Sequence, residues 1–331
     1  MITSRRLPRA WAAALLTAAI CFGASGCTNK VGSGGASTAG GITDGPANPK
    51  KLILGFVPST EANKIAEDAK PMAEYLSKEL GVPVETFTST QYTGLIEAMG
   101  SGKVDIGSLP PLGYVLAKDR HAAEILLKTK RHGAITYHSM FVARADSGIK
   151  KIEDARGKRM AFVDPASTSG FLFPASYLKG RGLDYTTFFS NVVYAGSHDG
   201  AVRAVYNGDE DVAAVYDDAR DKIRKEPAYA DVKTKVVKIG DAGEIPNDTI
   251  SVRPGLDPAL VARIKAALIK YADSPEGKRT LKQVYDVDGV VDAKDSDYDP
   301  VRVVAKAMDV QISAIDKPKK PPAPSPAASG K

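Results

Sequence analysis

Asp164-Pro165-Ala166-Ser167-Thr168-Ser169-Gly170 stands between an apolar run, Arg159 to Val163, and an apolar-rich stretch, Phe171 to Lys179. The run reads as a strand and the stretch as a helix, so the segment between them is a strand-to-helix turn. Three consecutive hydroxyls therefore fall at a helix N-terminus, where the first backbone N–H groups have no intrahelical partner. Those donors, the positive end of the helix dipole and the hydroxyls together suit a tetrahedral oxyanion. A lone Ser or Thr there is ordinarily a cap. Three of them followed by Gly170 exceed what a cap requires and predict the floor of an anion pocket.

The same alternation continues outward in both directions. Upstream, Leu52 to Val57 reads as a strand, and Ile65, Ala69, Met72, Leu76 and Leu80 recur at spacings of three and four, the core face of a helix stopped by Gly81. Val82 to Thr88, Val104 to Leu109, Ile125 to Lys128 and Met140 to Ala143 read as strands, with a short helix at Tyr92 to Met99. Downstream, strands at 192–194 and 212–215 lead into helices near 199–207 and 218–225. Strands at 236–239 and 250–252 and helices at 258–272, 275–284 and 299–314 complete the pattern. Strands alternating with helices predict parallel sheets covered on both faces. Ligands then sit beyond the carboxyl ends of the strands. Ser59, Thr60, Ser108, Ser197, His198, Asp217 and Asp218 collect there with the hydroxyl run. The two halves share a rhythm but not an internal sequence repeat.

Composition bounds what such a chain can do. Its 331 residues suffice for two lobes, and 43% hydrophobic with 25% charged residues is ordinary for a globular protein. The formal charge of +6 includes Arg5, Arg6 and Arg9, so without the first 26 residues it is +3. That balance, with no basic aromatic cluster, argues against nucleic acid. The three arginines precede an apolar stretch, Ala10 to Phe22, too short for a span and followed by Gly23-Ala24-Ser25-Gly26-Cys27, which reads as an export signal over 1–26. The run ending at Cys27 resembles a bacterial lipobox, with Ala24 where Leu is usual. Lipidation of Cys27 is the favoured reading, and a conventional signal cut leaving a free thiol is the alternative. Residues 27–50, rich in Gly, Ser and Ala, form a flexible tether, and 317–331 a disordered tail. No H-E-x-x-H, Cys-x-x-Cys or EF-hand loop is present, and His121, His132 and His138 have no acids at metal spacing, so neither a metal nor a cofactor is expected. No G-x-S-x-G elbow or Walker loop points to an enzyme, and Gly100-Ser101-Gly102-Lys103 reads as a turn.

Phe162 to Gly170, Gly196-Ser197-His198-Asp199, Ile245-Pro246-Asn247-Asp248, Val104-Asp105-Ile106-Gly107, Leu109-Pro110-Pro111-Leu112 and Ala145 to Ile149 together resemble the substrate-binding proteins of phosphonate, phosphite and phosphate ABC importers. These form a branch of the type II periplasmic binding proteins, and the resemblance runs from about Leu52 to about Asp309. It implies an α/β fold of two lobes joined by two crossover strands, near 139–142 and 248–252. One lobe would be 51–140 plus 248–316 and the other 141–247. It also implies a receptor that delivers its ligand to an ABC permease with a cytoplasmic ATPase; with the lipobox-like run, a monomer held extracytoplasmically at the membrane surface through Cys27 is expected. A sensor of the same fold docking a membrane signalling protein is the alternative.

Residue by residue, Ser167, Thr168 and Ser169 match the family's oxyanion cradle. Tyr92 and Tyr137 match two pocket tyrosines, and His198 a histidine at a strand mouth. Asp248 matches a pocket acid. A carboxylate only accepts hydrogen bonds, so it faces a ligand still carrying a proton or an ammonium group and repels a bare polyanion. Asp218 falls where aminoalkylphosphonate binders carry a glutamate, one methylene longer. Asp217 is either an N-cap or a pocket acid. Phosphonate or phosphite is the expected ligand, with phosphate second. Asp105 and Asp211 are expected at strand starts, away from ligand.

Overall fold

The computed structural model describes residues 47–217 and 219–310. The predicted turn is built as expected but begins one step earlier. β6 (Arg159–Phe162) runs into a wide π-helical turn over Thr168–Leu172, which passes directly into an α-helix at Phe173–Lys179. Thr168 and Ser169 thus lie inside the first turn, with Ser167 as its N-cap, its Oγ accepting the Gly170 N–H at 3.0 Å. Gly170 is required by the close approach of the turn to its own strand: a Cβ there would stand 2.4 Å from the Val163 side chain.

Two sheets carry the fold. The first contains β1 (Leu52–Phe56), β2 (Val84–Thr88), β3 (Ile106–Leu109), β4 (Glu124–Lys130), β10 (Thr249–Val252) and β11 (Gly289–Asp292), in the order β11-β4-β10-β3-β1-β2. The second contains β5 (Thr136–Arg144), β6, β7 (Asn191–Tyr194), β8 (Val212–Tyr216) and β9 (Val236–Pro246), ordered β7-β6-β8-β5-β9. The expectation of all-parallel sheets holds only for three strands at one end of each. β2, β1 and β3 pair in parallel, as do β7, β6 and β8, whereas β10, β4 and β11 in one sheet and β5 and β9 in the other pair antiparallel. The reason is topological: β5, on which the chain enters the second sheet, and β10, on which it returns to the first, each run against the parallel strand they join.

β5 lies along its whole length in the second sheet and β10 along its whole length in the first. The chain therefore passes between sheets at 131–135 and returns at 247–248. The two passages are tied together. The Asn247 N–H donates to the Ile135 carbonyl at 2.9 Å, its side-chain amide donates to the Ala134 carbonyl at 3.0 Å, and the Thr129 N–H donates to the Asp248 carbonyl at 2.8 Å.

Each sheet buries its own core. Leu52, Leu54, Ile65, Leu76, Ile264 and Tyr271 pack on the first, and Phe141, Met160, Phe162, Leu178 and Val212 on the second. A further cluster, including Leu109, Leu112, Tyr137, Val163, Leu172 and Ile245, joins residues of both. The predicted core face Ile65, Ala69, Met72, Leu76 and Leu80 is buried throughout, but it is carried by two helices, Ala62–Asp68 and Lys70–Leu80. The break falls beside Pro71, which has no N–H to continue the ladder. The helix Pro111–Asp119 and strand β11 have no counterpart in the expected elements. Asp105 and Asp211 brace strand starts: Asp105 accepts from the Ile53 N–H and pairs with Arg253 at 2.9 Å, and Asp211 accepts from the Arg159 N–H at 2.9 Å and pairs with its guanidinium.

Candidate functional site

The carboxyl ends of the parallel strands of both sheets open on one cleft. Ser167, Thr168, Ser169, Tyr92, Tyr137, His198 and Asp248 all line it, with Ser59 and Thr60. Asp218 and Cys27, also singled out from the sequence, lie outside the described residues, and Ser108 and Asp217 are not in the lining. Ser197 caps the helix His198–Asn207 through the Gly200 N–H at 3.0 Å rather than facing the cleft.

The three hydroxyls of the turn are buried and oriented by partners. The Thr168 Oγ1 accepts the N–H of Leu112 at 2.8 Å, from the helix that follows β3 of the other sheet. The Ser139 hydroxyl donates to the Ser169 carbonyl at 2.7 Å, and the Tyr137 phenol is hydrogen-bonded to Ser169. A hydroxyl that accepts one bond still has its own proton to give, so the contact from Leu112 aims Thr168 without consuming its donor, whereas the Tyr137–Ser169 pair shares one proton and keeps the other to give. Asp164 closes the turn, one oxygen accepting from the Ala166 N–H at 2.8 Å and the other from the Tyr92 N–H at 3.5 Å. The Tyr92 hydroxyl is different. It is buried, with the residue 2% exposed, and has no hydrogen-bond partner among the described residues, although its side chain lines the cleft. Burial pushes the phenols of Tyr92 and Tyr137 far upward, so both remain proton donors.

His198 is a neutral donor rather than the titrating cation its unperturbed imidazole suggests. Burial first, and the nearby Arg131 charge second, push it down to about 3. Its Nδ1 accepts the Tyr216 N–H at 3.4 Å, and its ring meets the Tyr216 ring edge-on at 4.6 Å. With Nδ1 accepting, the proton resides on Nε2. The His198 N–H in turn donates to the Ser59 carbonyl at 3.0 Å, linking the helix start to the end of β1. Asp248 is pushed up to about 6 by burial, opposed by Arg131. Among the described residues no group of His, Cys, Asp and Glu could hold a metal ion.

Two cations in the cleft wall were not anticipated. Arg131, on the first passage between sheets, lies over the Tyr216 ring at 4.7 Å and the Tyr137 ring at 5.9 Å and donates to the Tyr285 carbonyl. Lys222, on the helix Ala219–Ile223 beyond β8, donates to the carbonyls of Gln283 at 2.8 Å and Val284 at 3.3 Å, in the last turn of the helix Pro275–Tyr285. Neither lies in a motif. The position of Arg131 between two strand-like runs was the one available signal.

Two α/β lobes, each with parallel strands aimed at a shared cleft and joined by crossing segments, define a type II periplasmic binding protein. Residues 54–298 match the family described as "ABC transporter, phosphonate, periplasmic substrate-binding protein". The chain belongs to that family. It is 29% identical over 278 residues to the phosphate-import protein PhnD of Mycolicibacterium smegmatis, covering 77% of this chain and 85% of that one. It is 30% identical over 241 residues to the phosphonates-binding periplasmic protein of Escherichia coli, covering 71% and 70%. A solved binding-protein component of an ABC phosphonate transporter from Pseudomonas aeruginosa matches with a TM-score of 0.72 and 25% identity, covering 80% of this chain and 87% of that one. Members of the family are transport receptors rather than enzymes, and their periplasmic place is extracytoplasmic.

Proposed function

We propose that the protein captures a phosphonate or phosphite between its two lobes, roughly 51–140 plus 248–316 and 141–247, and hands it to an ABC permease driven by a cytoplasmic ATPase. Ser167, Thr168 and Ser169, with the free amides of their turn, hold the phosphoryl oxygens, and Tyr92, Tyr137 and the His198 Nε2–H add neutral donors. Asp248 accepts a proton still carried by the ligand. Cys27 carries the lipid that keeps the receptor at the membrane surface, where it acts as a monomer.

The observation that carries this reading is the buried Tyr92 hydroxyl, unpartnered among the described residues and in a cleft whose other donors already have their fixed contacts. A buried polar group without a partner costs about 1–3 kcal/mol, a cost that a bound oxyanion removes. Inorganic phosphate is the second reading, because the mycobacterial relative is named for phosphate and the E. coli one for phosphonates. Ligand bridging both lobes stabilises the closed form by its differential affinity. Thermal shift and calorimetry with methylphosphonate, phosphite and inorganic phosphate test the proposal, since a ligand of the native state raises the melting temperature. No shift with any of the three would overturn it.

A further inference from the structure

Arg131 and Lys222 stand in the cleft wall as cations without carboxylate partners. Among the described residues neither has an ion pair, although ion pairs are formed by Lys128, Arg159, Arg203, Arg253 and Lys282 elsewhere in the fold. Arg131 is held by ring faces and a carbonyl. Lys222 is held by two carbonyls at a helix C-terminus, a placement that suits a cation. An ammonium has three donors, so after those two bonds one N–H of Lys222 is uncommitted in a cleft it lines.

The acids nearby do not cancel this pair. Asp286 is engaged by Lys282 at 2.7 Å. Asp199 is buried at the start of its helix, Asp217 acts on Arg131 from outside the lining, and among the described residues the lining carries one carboxylate, Asp248, next to Arg131. Burial lowers Lys222 to about 8, which leaves it protonated at neutral pH.

Building on the reading of the cleft as a phosphorus-oxyanion site, we infer that Arg131 and Lys222 are specificity-determining residues that restrict the ligand to phosphorus oxyanions with an uncharged or anionic substituent and reject aminoalkylphosphonates. A ligand ammonium in this cleft meets Lys222, which has no ion-pair partner among the described residues, and the introduced repulsion excludes it. The charge-assisted donors that remain hold the phosphorus oxyanion.

The test compares two probes of nearly equal size, propylphosphonate and 2-aminoethylphosphonate, with methylphosphonate as the reference ligand, by calorimetry at pH 7. The expected result for the wild-type protein is binding of 2-aminoethylphosphonate at least tenfold weaker than propylphosphonate. Lys222→Glu should bring the two to parity or invert their order, and Lys222→Arg should keep the wild-type order. Should Lys222→Glu not fold, Lys222→Gln serves, with an expected narrowing of the gap. Equal wild-type affinities for the two probes, or a gap unchanged in the Glu or Gln variant, would overturn the inference while methylphosphonate binding left the receptor reading intact. Loss of all three ligands from the wild-type protein would instead remove the receptor reading, and this one with it.

Discussion

Replacing Thr168 by Val keeps the shape of a side chain that is fully buried and removes only its hydroxyl. Two effects follow. The hydroxyl's proton no longer reaches the ligand, and a hydrogen bond to a charged group contributes about 1.5–3 kcal/mol. That corresponds to roughly a 10- to 150-fold rise in Kd. The Leu112 N–H, which donates to Thr168 Oγ1 at 2.8 Å, also loses its acceptor, a cost of about 1–3 kcal/mol if water cannot reach it. Because Leu112 follows β3 of the first sheet and Thr168 follows β6 of the second, this second cost falls on the closed arrangement of the lobes. An open form can hydrate the amide. Calorimetry with methylphosphonate should therefore show Thr168→Val weakened at least tenfold, with a denaturant midpoint in the absence of ligand changed far less. Thr168→Ser, which retains the hydroxyl and loses one buried methyl, should stay within about fivefold in affinity while costing roughly 1 kcal/mol of stability. Binding by the Val variant within twofold of wild type would refute the assignment of this hydroxyl to both ligand and closure.

Tyr92→Phe deletes a buried hydroxyl that has no partner among the described residues, so ligand-free stability should hold or rise by about 1 kcal/mol while affinity falls roughly tenfold or more. A fall in both, read by urea melts and calorimetry, would contradict the placement of this group against ligand. His198 is held at about 3 in the fold against about 6.5 in an unfolded chain. Its contribution is present above about pH 6.5 and is lost as pH falls toward 3, at about 1.4 kcal/mol per pH unit. Asp248, raised to about 6, acts with the opposite sign between about pH 4 and 6. The His198 contribution is therefore read from the difference between wild type and His198→Gln, and a flat difference from pH 7 to 5 would sink it. Gly170→Ala places a Cβ 2.4 Å from the Val163 side chain and should destabilise by about 1–3 kcal/mol, measured by chemical denaturation. An unaltered midpoint would show that the turn yields.

What the sequence made legible follows from how far each residue's role depends on distant chain. Ser167, Thr168 and Ser169 could be read because a strand, a turn and a helix start are local events within a dozen residues, and His198 behind Ser197 repeats that logic. Periodicity found the buried face from Ile65 to Leu80 but not its division at Pro71, since core contacts keep a common period across the break. The apolar helix from Pro111 was hidden for the opposite reason. Residues 111–117 are buried on every side, so no polar face marks its period. Arg131 and Lys222 reach the cleft only because one passage between sheets and a short helix beyond β8 converge on the end of helix Pro275–Tyr285, contacts made across more than sixty residues in the case of Lys222 and Val284. The same long-range geometry changes His198 from a titrating group into a neutral donor, because burial, and not the residues flanking it in sequence, sets its proton affinity. The hydroxyl turn is thus written in local sequence, whereas the charge balance around it, on which discrimination between ligands rests, exists only once the two sheets have been brought together.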